Sequence, residues 1–243
     1  MKKIVLFMFV SISLLVASEG FISYKVDGKE YEGYYSTPSK DAPLVYIVHD
    51  WDGLTDYEIK RAKMLYDLGY ASFAVDLYGK GIRPTALEDK KRLTSELYQD
   101  REKMRSLLDA GLELAKSQGA NISNAVGIGY CFGGAAILEM ARSGANLKSF
   151  ISFHGGLATP KGQDYSKLKG SVFVFHGGAD KVVPISDFAS LVTQLEDVKA
   201  QYEMTVYSGA PHAFSVIGSN RYHKKADEES WARFTEILAN TLK

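Results

Sequence analysis

The sequence predicts an α/β fold in which helices cover both faces of a mostly parallel central sheet. Short β-branched and aromatic runs alternate with longer amphipathic helical patterns over most of the 243 residues. The inner runs are continuously apolar, which is typical of parallel strands that are buried on both faces. Near the front of the chain, an alternating pattern around Asp27 and Gly28 indicates an antiparallel hairpin at one edge of the sheet.

The predicted elements follow one another along the chain in regular alternation. The strand-like runs are LVYIVHD (44–50), ASFAVDLY (71–78), AVGIGY (125–130), FISF (150–153), SVFVFHG (171–177) and QYEMTVY (201–207). Thr55 and Glu58 predict a capping box at the start of the first helix, and Gly69 ends it. Residues 87–118 form either one long helix or two consecutive helices. Another helix begins at Phe132, and two more are predicted over SDFASLVTQLE and EESWARFTEILANTL.

The first 18 residues have the pattern of a secretory signal peptide. Two lysines precede an apolar core from Ile4 to Val16, and the small residues Ala17 and Ser18 provide a cleavage site. That core is shorter than the roughly 18 apolar residues that a membrane anchor needs, so cleavage is the favoured interpretation. We therefore predict export to the periplasm and a single mature domain over residues 19–243.

The charge balance argues against a nucleic-acid partner. The whole chain has 29 Lys+Arg and 29 Asp+Glu, and removal of the two signal lysines leaves 27 against 29, a net charge of −2. No basic block is long enough to follow a phosphate backbone. We expect a monomer whose partner is a small molecule.

The chain's only cysteine, Cys131, lies in the stretch GIGYCFGG between a predicted strand and the helix that begins at Phe132. Gly129 and Gly133 flank it two residues away on each side, as in the nucleophile elbow of the α/β-hydrolase fold, with sulfur replacing oxygen. Such a turn holds the nucleophile in a sparsely populated backbone conformation. The helix N-terminus is expected to lower the thiol pKa and to stabilise an oxyanion. The alternative is a small cysteine that is buried for packing.

Two further residues follow in the chain order that an elbow site requires. Asp180 lies just beyond the strand that ends near Gly177, and His212 lies just beyond the last strand. His212 would take the proton from Cys131 and later donate it to the leaving group. Asp180 would hold the imidazole tautomer and stabilise its cationic form.

The other histidines leave a metal cluster as a weaker alternative. His49, His154 and His176 each lie near the carboxyl end of a predicted strand, where open α/β sheets bind ligands. Their spacing does not match a zinc site, so hydrogen-bonded loop histidines are the favoured interpretation and no metal is predicted. His223 is predicted to be a surface residue.

The chain resembles the dienelactone hydrolase family of α/β-hydrolases over most of residues 20–243. The resemblance rests on VHDWDGLTDYEIKRAKMLYDLGYASFAVDLYGKG, GIGYCFGG, HGGADKVVP and GAPHAF. It implies that the cysteine, histidine and aspartate described above cleave an ester or lactone without cofactor or metal. It also implies an oxyanion hole formed by the backbone N–H groups of Trp51 and Phe132.

Several positions depart from the family's pattern in ways that bear on the substrate. Asp50 stands where the family typically has a glutamate that contacts the resting thiol, and its shorter side chain reaches less far. Lys80 and Val216 stand where the family has two arginines that clamp the substrate carboxylate. Neither offers a bidentate fork, so tight recognition of a dianionic lactone is not expected. Arg83 either compensates or faces solvent.

Three hypotheses follow from these residues. The first is an exported hydrolase of small esters or lactones, in which Cys131 forms a thioester that water activated by His212 then cleaves. The second is a catalytically silent binding protein of the cell envelope, whose buried thiol would react slowly with iodoacetamide where an activated thiolate reacts fast. The third is a redox sensor, although the chain has no second cysteine to resolve a sulfenic acid.

Overall fold

The computed structural model describes residues 18–242, which form one central sheet with helices on both faces. The strands are β1 (Ser18–Val26), β2 (Lys29–Thr37), β3 (Pro43–Val48), β4 (Ala71–Val75), β5 (Asn121–Tyr130), β6 (Ser149–Phe153), β7 (Ser171–Gly177) and β8 (Tyr202–Tyr207). The helices are α1 (Asp56–Asp67), α2 (Leu87–Gln99), α3 (Arg101–Ser117), α4 (Phe132–Ser143), α5 (Ile185–Asp197) and α6 (Lys224–Thr241).

The predicted signal segment, residues 1–18, lies outside the described residues except for Ser18, the first residue of β1. Signal cleavage and export therefore stay predictions. Within the part of the chain that the structure describes, no helix is both long and apolar enough to cross a membrane.

The sheet order confirms the predicted architecture. The strands lie side by side in the order β1-β2-β4-β3-β5-β6-β7-β8. All neighbouring pairs from β4 to β8 are parallel, whereas β1 pairs with β2 and β2 with β4 in antiparallel fashion. Asp27 and Gly28 both adopt a positive φ at the hairpin turn, as a tight two-residue connection needs. The antiparallel hairpin thus occupies one edge of the sheet.

Apolar side chains fill the space on each side of the sheet. Leu65 of α1 and Phe234 of α6 pack with Ile47 and Ile128 on one face. The other face is covered by α2 to α5, and Leu108 of α3 belongs to that layer. Because both faces are covered, β4 and β6 are buried along their whole length, which explains their continuous apolar runs.

The boundaries of the first helices follow side-chain caps. Thr55 and Glu58 form both halves of the predicted capping box at the start of α1. The stretch 87–118 is two helices, because the backbone of Asp100 leaves helical dihedral angles. The Asp100 carboxylate then caps α3 by accepting a hydrogen bond from the Lys103 N–H at 2.9 Å.

The start of the last helix corrects one prediction. α6 begins at Lys224, earlier in the chain than predicted, and His223 is its N-cap residue. Its Nδ1 accepts a hydrogen bond from the Ala226 N–H at 3.2 Å. The prediction that His223 is a surface residue is therefore incomplete, because its half-buried side chain caps the start of α6.

The parallel strands bring their carboxyl ends to one edge of the sheet. The loops that follow β3, β5, β6, β7 and β8 carry Trp51, Cys131, His154, Asp180 and His212, respectively. Residues far apart in the chain therefore meet at this edge.

Candidate active site

Cys131 occupies a sharp turn between β5 and α4. Its dihedral angles are φ +52° and ψ −111°, outside the regions that L-residues favour. The Cys131 N–H donates to the Phe153 carbonyl at 3.0 Å, which ties the turn to β6. A Cβ on Gly129 would lie 2.0 Å from the Gly133 oxygen, and one on Gly133 would lie 2.2 Å from the Val48 oxygen. Both flanking glycines are therefore required by close backbone contacts.

The structure brings the three predicted catalytic side chains together. His212 Nε2 lies 3.0 Å from the Cys131 sulfur, and His212 Nδ1 lies 2.8 Å from Asp180 Oδ2. The other oxygen of Asp180 accepts the Val182 and Val183 N–H groups at 2.7 and 2.9 Å. Burial opposes ionisation of Asp180, but the hydrogen bonds from His212 and from these N–H groups hold its pKa below the ordinary value.

Two backbone N–H groups point at the same sulfur. They belong to Phe132, the first residue of α4, and to Trp51, in the loop after β3. Both hydrogen bonds favour negative charge on the sulfur. These are the two N–H groups that the family resemblance implied for an oxyanion hole.

The state of the thiol differs from the sequence-based expectation. Burial and the charge of Asp50 raise the pKa of Cys131 to about 12, although the Phe132 and Trp51 N–H groups act in the opposite direction. The helix N-terminus is therefore outweighed by burial, and the resting thiol is neutral. Slow labelling by iodoacetamide is expected for an active enzyme as well, so that reaction does not separate the hydrolase from a silent binding protein.

Asp50 is linked to a second buried carboxyl group, that of Glu58. The Asp50 N–H donates to Glu58 Oε1 at 3.3 Å. Glu58 Oε2 accepts from the N–H and the hydroxyl of Thr55, both at 2.9 Å. The glutamate therefore holds both ends of the loop that carries Trp51. Sequence reasoning identified Glu58 only as a capping residue, since its contact with Asp50 depends on the tertiary fold.

The pH dependence of stability should report on Glu58. Burial and the charge of Asp50 raise the pKa of Glu58 above that of a glutamate in the unfolded chain. The folded protein then binds the proton more tightly, so its stabilisation is complete at acid pH and is lost as pH rises through the raised pKa. We expect the unfolding free energy to fall between about pH 5 and about pH 8, and to fall less in Glu58→Gln.

Urea unfolding across this pH range measures the effect. Glu228→Gln, which changes an exposed glutamate of α6, controls for the substitution itself. Equal pH dependence in wild type and Glu58→Gln would show that Glu58 is not the responsible group.

Of the remaining histidines, His49 and His154 form side-chain hydrogen bonds, whereas the Nδ1 of His176 has no hydrogen-bond partner among the described residues. His49 Nε2 accepts from the Leu77 N–H at 3.1 Å, and burial lowers the pKa of His49 to about 4. His154 Nε2 lies 2.8 Å from the Ser215 hydroxyl. His176 is buried at the end of β7. Among residues 18–242, no three or more His, Cys, Asp or Glu side chains are grouped as a metal ion would require.

The predicted substrate contacts Lys80 and Arg83 lie elsewhere. Arg83 Nη2 is 2.9 Å from Glu32 Oε1, and its Nη1 is 3.9 Å from Asp76 Oδ1. The Lys80 N–H donates to the Glu30 carbonyl at 3.0 Å, and its side chain is exposed. Neither residue lines the cavity beside the sulfur. Arg83 does not compensate for the missing arginines, because two carboxylates hold it against β2 and the end of β4.

The cavity that adjoins the sulfur has a volume of about 170 Å³. It is lined by Trp51, Thr94, Tyr98, Cys131, Phe132, Gly156, Val182, Val183 and His212. Larger grooves on the surface contain none of the three predicted catalytic side chains. Thr94 and Tyr98 were not foreseen as site residues. They come from α2, whose docking over the loop after β3 cannot be read from a local pattern.

The sheet order, the strained turn at Cys131 and the nearby histidine define an α/β-hydrolase. The model of the dienelactone hydrolase family matches residues 31–242. The chain therefore belongs to the dienelactone hydrolase family, and it is a hydrolase of the carboxylic-ester class.

Individual relatives agree with this assignment. A solved structure named m3DLH is 27% identical, has a TM-score of 0.86, and the match covers 93% of this chain and 99% of that one. A dienelactone hydrolase-like promiscuous phosphotriesterase from metagenomic libraries is 26% identical with a TM-score of 0.86, over 94% of this chain and 100% of that one. An Escherichia coli (strain K12) protein provisionally named as a carboxymethylenebutenolidase is 25% identical over 89% of this chain and 85% of its own length.

Proposed function

We propose that this protein hydrolyses small carboxylic esters or lactones through a thioester on Cys131. The observation that carries the proposal is the 3.0 Å separation between the Cys131 sulfur and His212 Nε2. At that distance the imidazole can remove the thiol proton directly. Asp180, 2.8 Å from Nδ1, favours the tautomer whose Nε2 is free to accept it.

Acylation begins as the sulfur attacks the carbonyl carbon and its proton passes to His212. The carbonyl oxygen becomes negative and accepts the Trp51 and Phe132 N–H groups. The bond between the carbonyl carbon and the alcohol oxygen then breaks. His212 donates its proton to that oxygen, the alcohol leaves, and the acyl group remains on the sulfur.

Deacylation repeats these steps with water. His212 Nε2 takes a proton from a water molecule, whose oxygen attacks the thioester carbon. The carbon–sulfur bond breaks, the carboxylic acid leaves, and the proton on His212 returns to sulfur. The cycle as proposed uses neither a cofactor nor a metal.

The neutral resting thiol fits this cycle. Because the pKa of Cys131 is raised, the thiolate is not present before substrate binds. Proton transfer to His212 then accompanies attack rather than preceding it. Such a thiol is also protected from unwanted alkylation and oxidation.

The acyl-enzyme itself is the direct test. Mixing the protein with p-nitrophenyl acetate should give a burst of p-nitrophenol and, after acid quench, a mass increase of one acetyl group on the peptide that contains Cys131. Asp180→Asn should retain the site of acylation but slow the burst by about 10⁴-fold, because the imidazole loses its orienting partner.

The outcomes separate this mechanism from the silent binding protein. A protein without esterase function gives neither a burst nor an acetylated peptide. Turnover with acetyl found on another residue would reject Cys131 as the nucleophile.

A further inference from the structure

The cavity beside the Cys131 sulfur is lined mainly by aromatic and aliphatic side chains. Trp51, Tyr98 and Phe132 are aromatic, while Val182 and Val183 are aliphatic. No lysine or arginine is among the lining residues that the structure describes. A carboxylate placed there would therefore lose water without gaining a cationic partner.

Two cations lie over the aromatic walls, but carboxylates already hold both. Lys90 Nζ is 5.3 Å from the centre of the Trp51 ring and 2.6 Å from Asp52 Oδ1. Arg101 Cζ lies 4.8 Å from the centre of the Tyr98 ring, and its Nη1 is 3.3 Å from a buried glutamate oxygen. Recruiting either cation for substrate would require breaking an existing ion pair.

Asp50 contributes negative charge near the sulfur, although the Asp52 N–H at 2.7 Å and the charge of Lys90 both stabilise its ionised form. Asp50 is 7% exposed, and its charge contributes to the raised pKa of the Cys131 thiol. Lys90 is bound to Asp52 rather than to Asp50. An anionic acyl group would therefore meet repulsion from Asp50 as well as the cost of dehydration.

The rim of the cavity is apolar and open to solvent. Tyr98 is 36% exposed and Val182 is 63% exposed. Exposed apolar side chains beside a catalytic cavity are typical of a surface that contacts an apolar ligand. The small volume, about 170 Å³, restricts the enclosed part of that ligand to a compact group.

We propose that the acyl group of the substrate is uncharged and apolar, that it lies between Tyr98 and Val182, and that these side chains select against carboxylate-bearing acyl groups. The inference rests on the proposed thioester chemistry and narrows its substrate class. The aromatic ring supplies one wall, the valine supplies the other, and no lysine or arginine in the lining can pair with a carboxylate on the acyl chain. A neutral ester is the substrate, and an ester with an acidic acyl chain is rejected.

Two esters of the same shape and leaving group test the charge preference. p-Nitrophenyl 4-methylpentanoate and mono-p-nitrophenyl succinate differ in having an isopropyl group or a carboxylate at the end of the acyl chain. Rates with Cys131→Ala are subtracted to remove uncatalysed hydrolysis. We expect kcat/KM to be at least about 100-fold higher for the neutral ester, because the carboxylate is dehydrated beside Asp50.

A charge added at the proposed wall should reverse part of this preference. Val182→Arg places a guanidinium at the rim, and the ratio of neutral to anionic kcat/KM should fall at least about tenfold. Val198→Arg adds the same charge beyond the far end of α5, about 20 Å along the helix, and is the matched control. It should leave the ratio within about threefold of wild type.

The outcomes distinguish this inference from the mechanism on which it rests. Cys131-dependent hydrolysis of both esters at similar rates would overturn the charge selection while leaving the thioester chemistry intact. A Val182→Arg ratio that matches that of Val198→Arg would overturn the placement of the acyl group. Hydrolysis of neither ester would remove the proposed function and this inference together.

Discussion

Replacing Cys131 by alanine is expected to lower kcat/KM for p-nitrophenyl acetate by at least about 10⁴-fold. Without the sulfur no bond to the acyl group can form, and His212 loses the proton donor 3.0 Å from its Nε2. The backbone N–H groups of Trp51 and Phe132 remain, so only slow attack by water on a polarised carbonyl should survive. Steady-state kinetics on the purified variant measures the loss.

The backbone at this position supplies a control for folding. Cys131 has a φ of +52°, a conformation that costs L-residues free energy but not glycine. Cys131→Gly should therefore be more stable than Cys131→Ala by about 1 kcal/mol in urea unfolding, and equally inactive. Esterase activity near the wild-type level in a folded Cys131→Ala protein would end the proposal that this sulfur is the nucleophile.

The meeting of Cys131, His212 and Asp180 could be predicted because it depends on topology more than on packing. Each follows a parallel strand, and the carboxyl ends of parallel strands share one edge of the sheet. The strained turn at Cys131 could be predicted from its flanking glycines. Backbone atoms pass so close to Gly129 and Gly133 that neither position has room for a Cβ.

The properties of the pocket could not be predicted in the same way. Tyr98 becomes a wall because α2 docks through buried Leu93 and Leu97 and through the Lys90–Asp52 ion pair. The neutral thiol depends on burial and on the charge of Asp50, which outweigh the helix end that the local pattern suggested. Such contacts join distant parts of the chain and leave no signature in residue spacing.

Asp227→Ala is expected to lower the unfolding free energy by about 3–5 kcal/mol. Asp227 of α6 forms a buried ion pair with Arg61 of α1, whose side chain is 1% exposed. Arg61 Nη2 also donates to the Ser215 carbonyl at 2.9 Å, and the Ser215 hydroxyl lies 2.8 Å from His154 Nε2. Removing the carboxylate leaves a guanidinium without its counter-ion in the interior. Urea unfolding at constant pH measures the change.

A matched surface pair isolates the effect of burial. Glu203 and Arg233 form an ion pair of the same chemistry with side chains 36% and 40% exposed, and Glu203→Ala should cost only about 0–1 kcal/mol. Replacing Arg61 and Asp227 together by methionine and leucine should recover most of the stability lost in Asp227→Ala, because no charge is then stranded. If Asp227→Ala and Glu203→Ala lowered the unfolding free energy equally, the interior pair of Arg61 and Asp227 would have to be hydrated. In that case contacts other than the Arg61–Asp227 pair would tie α6 to the loop after His212.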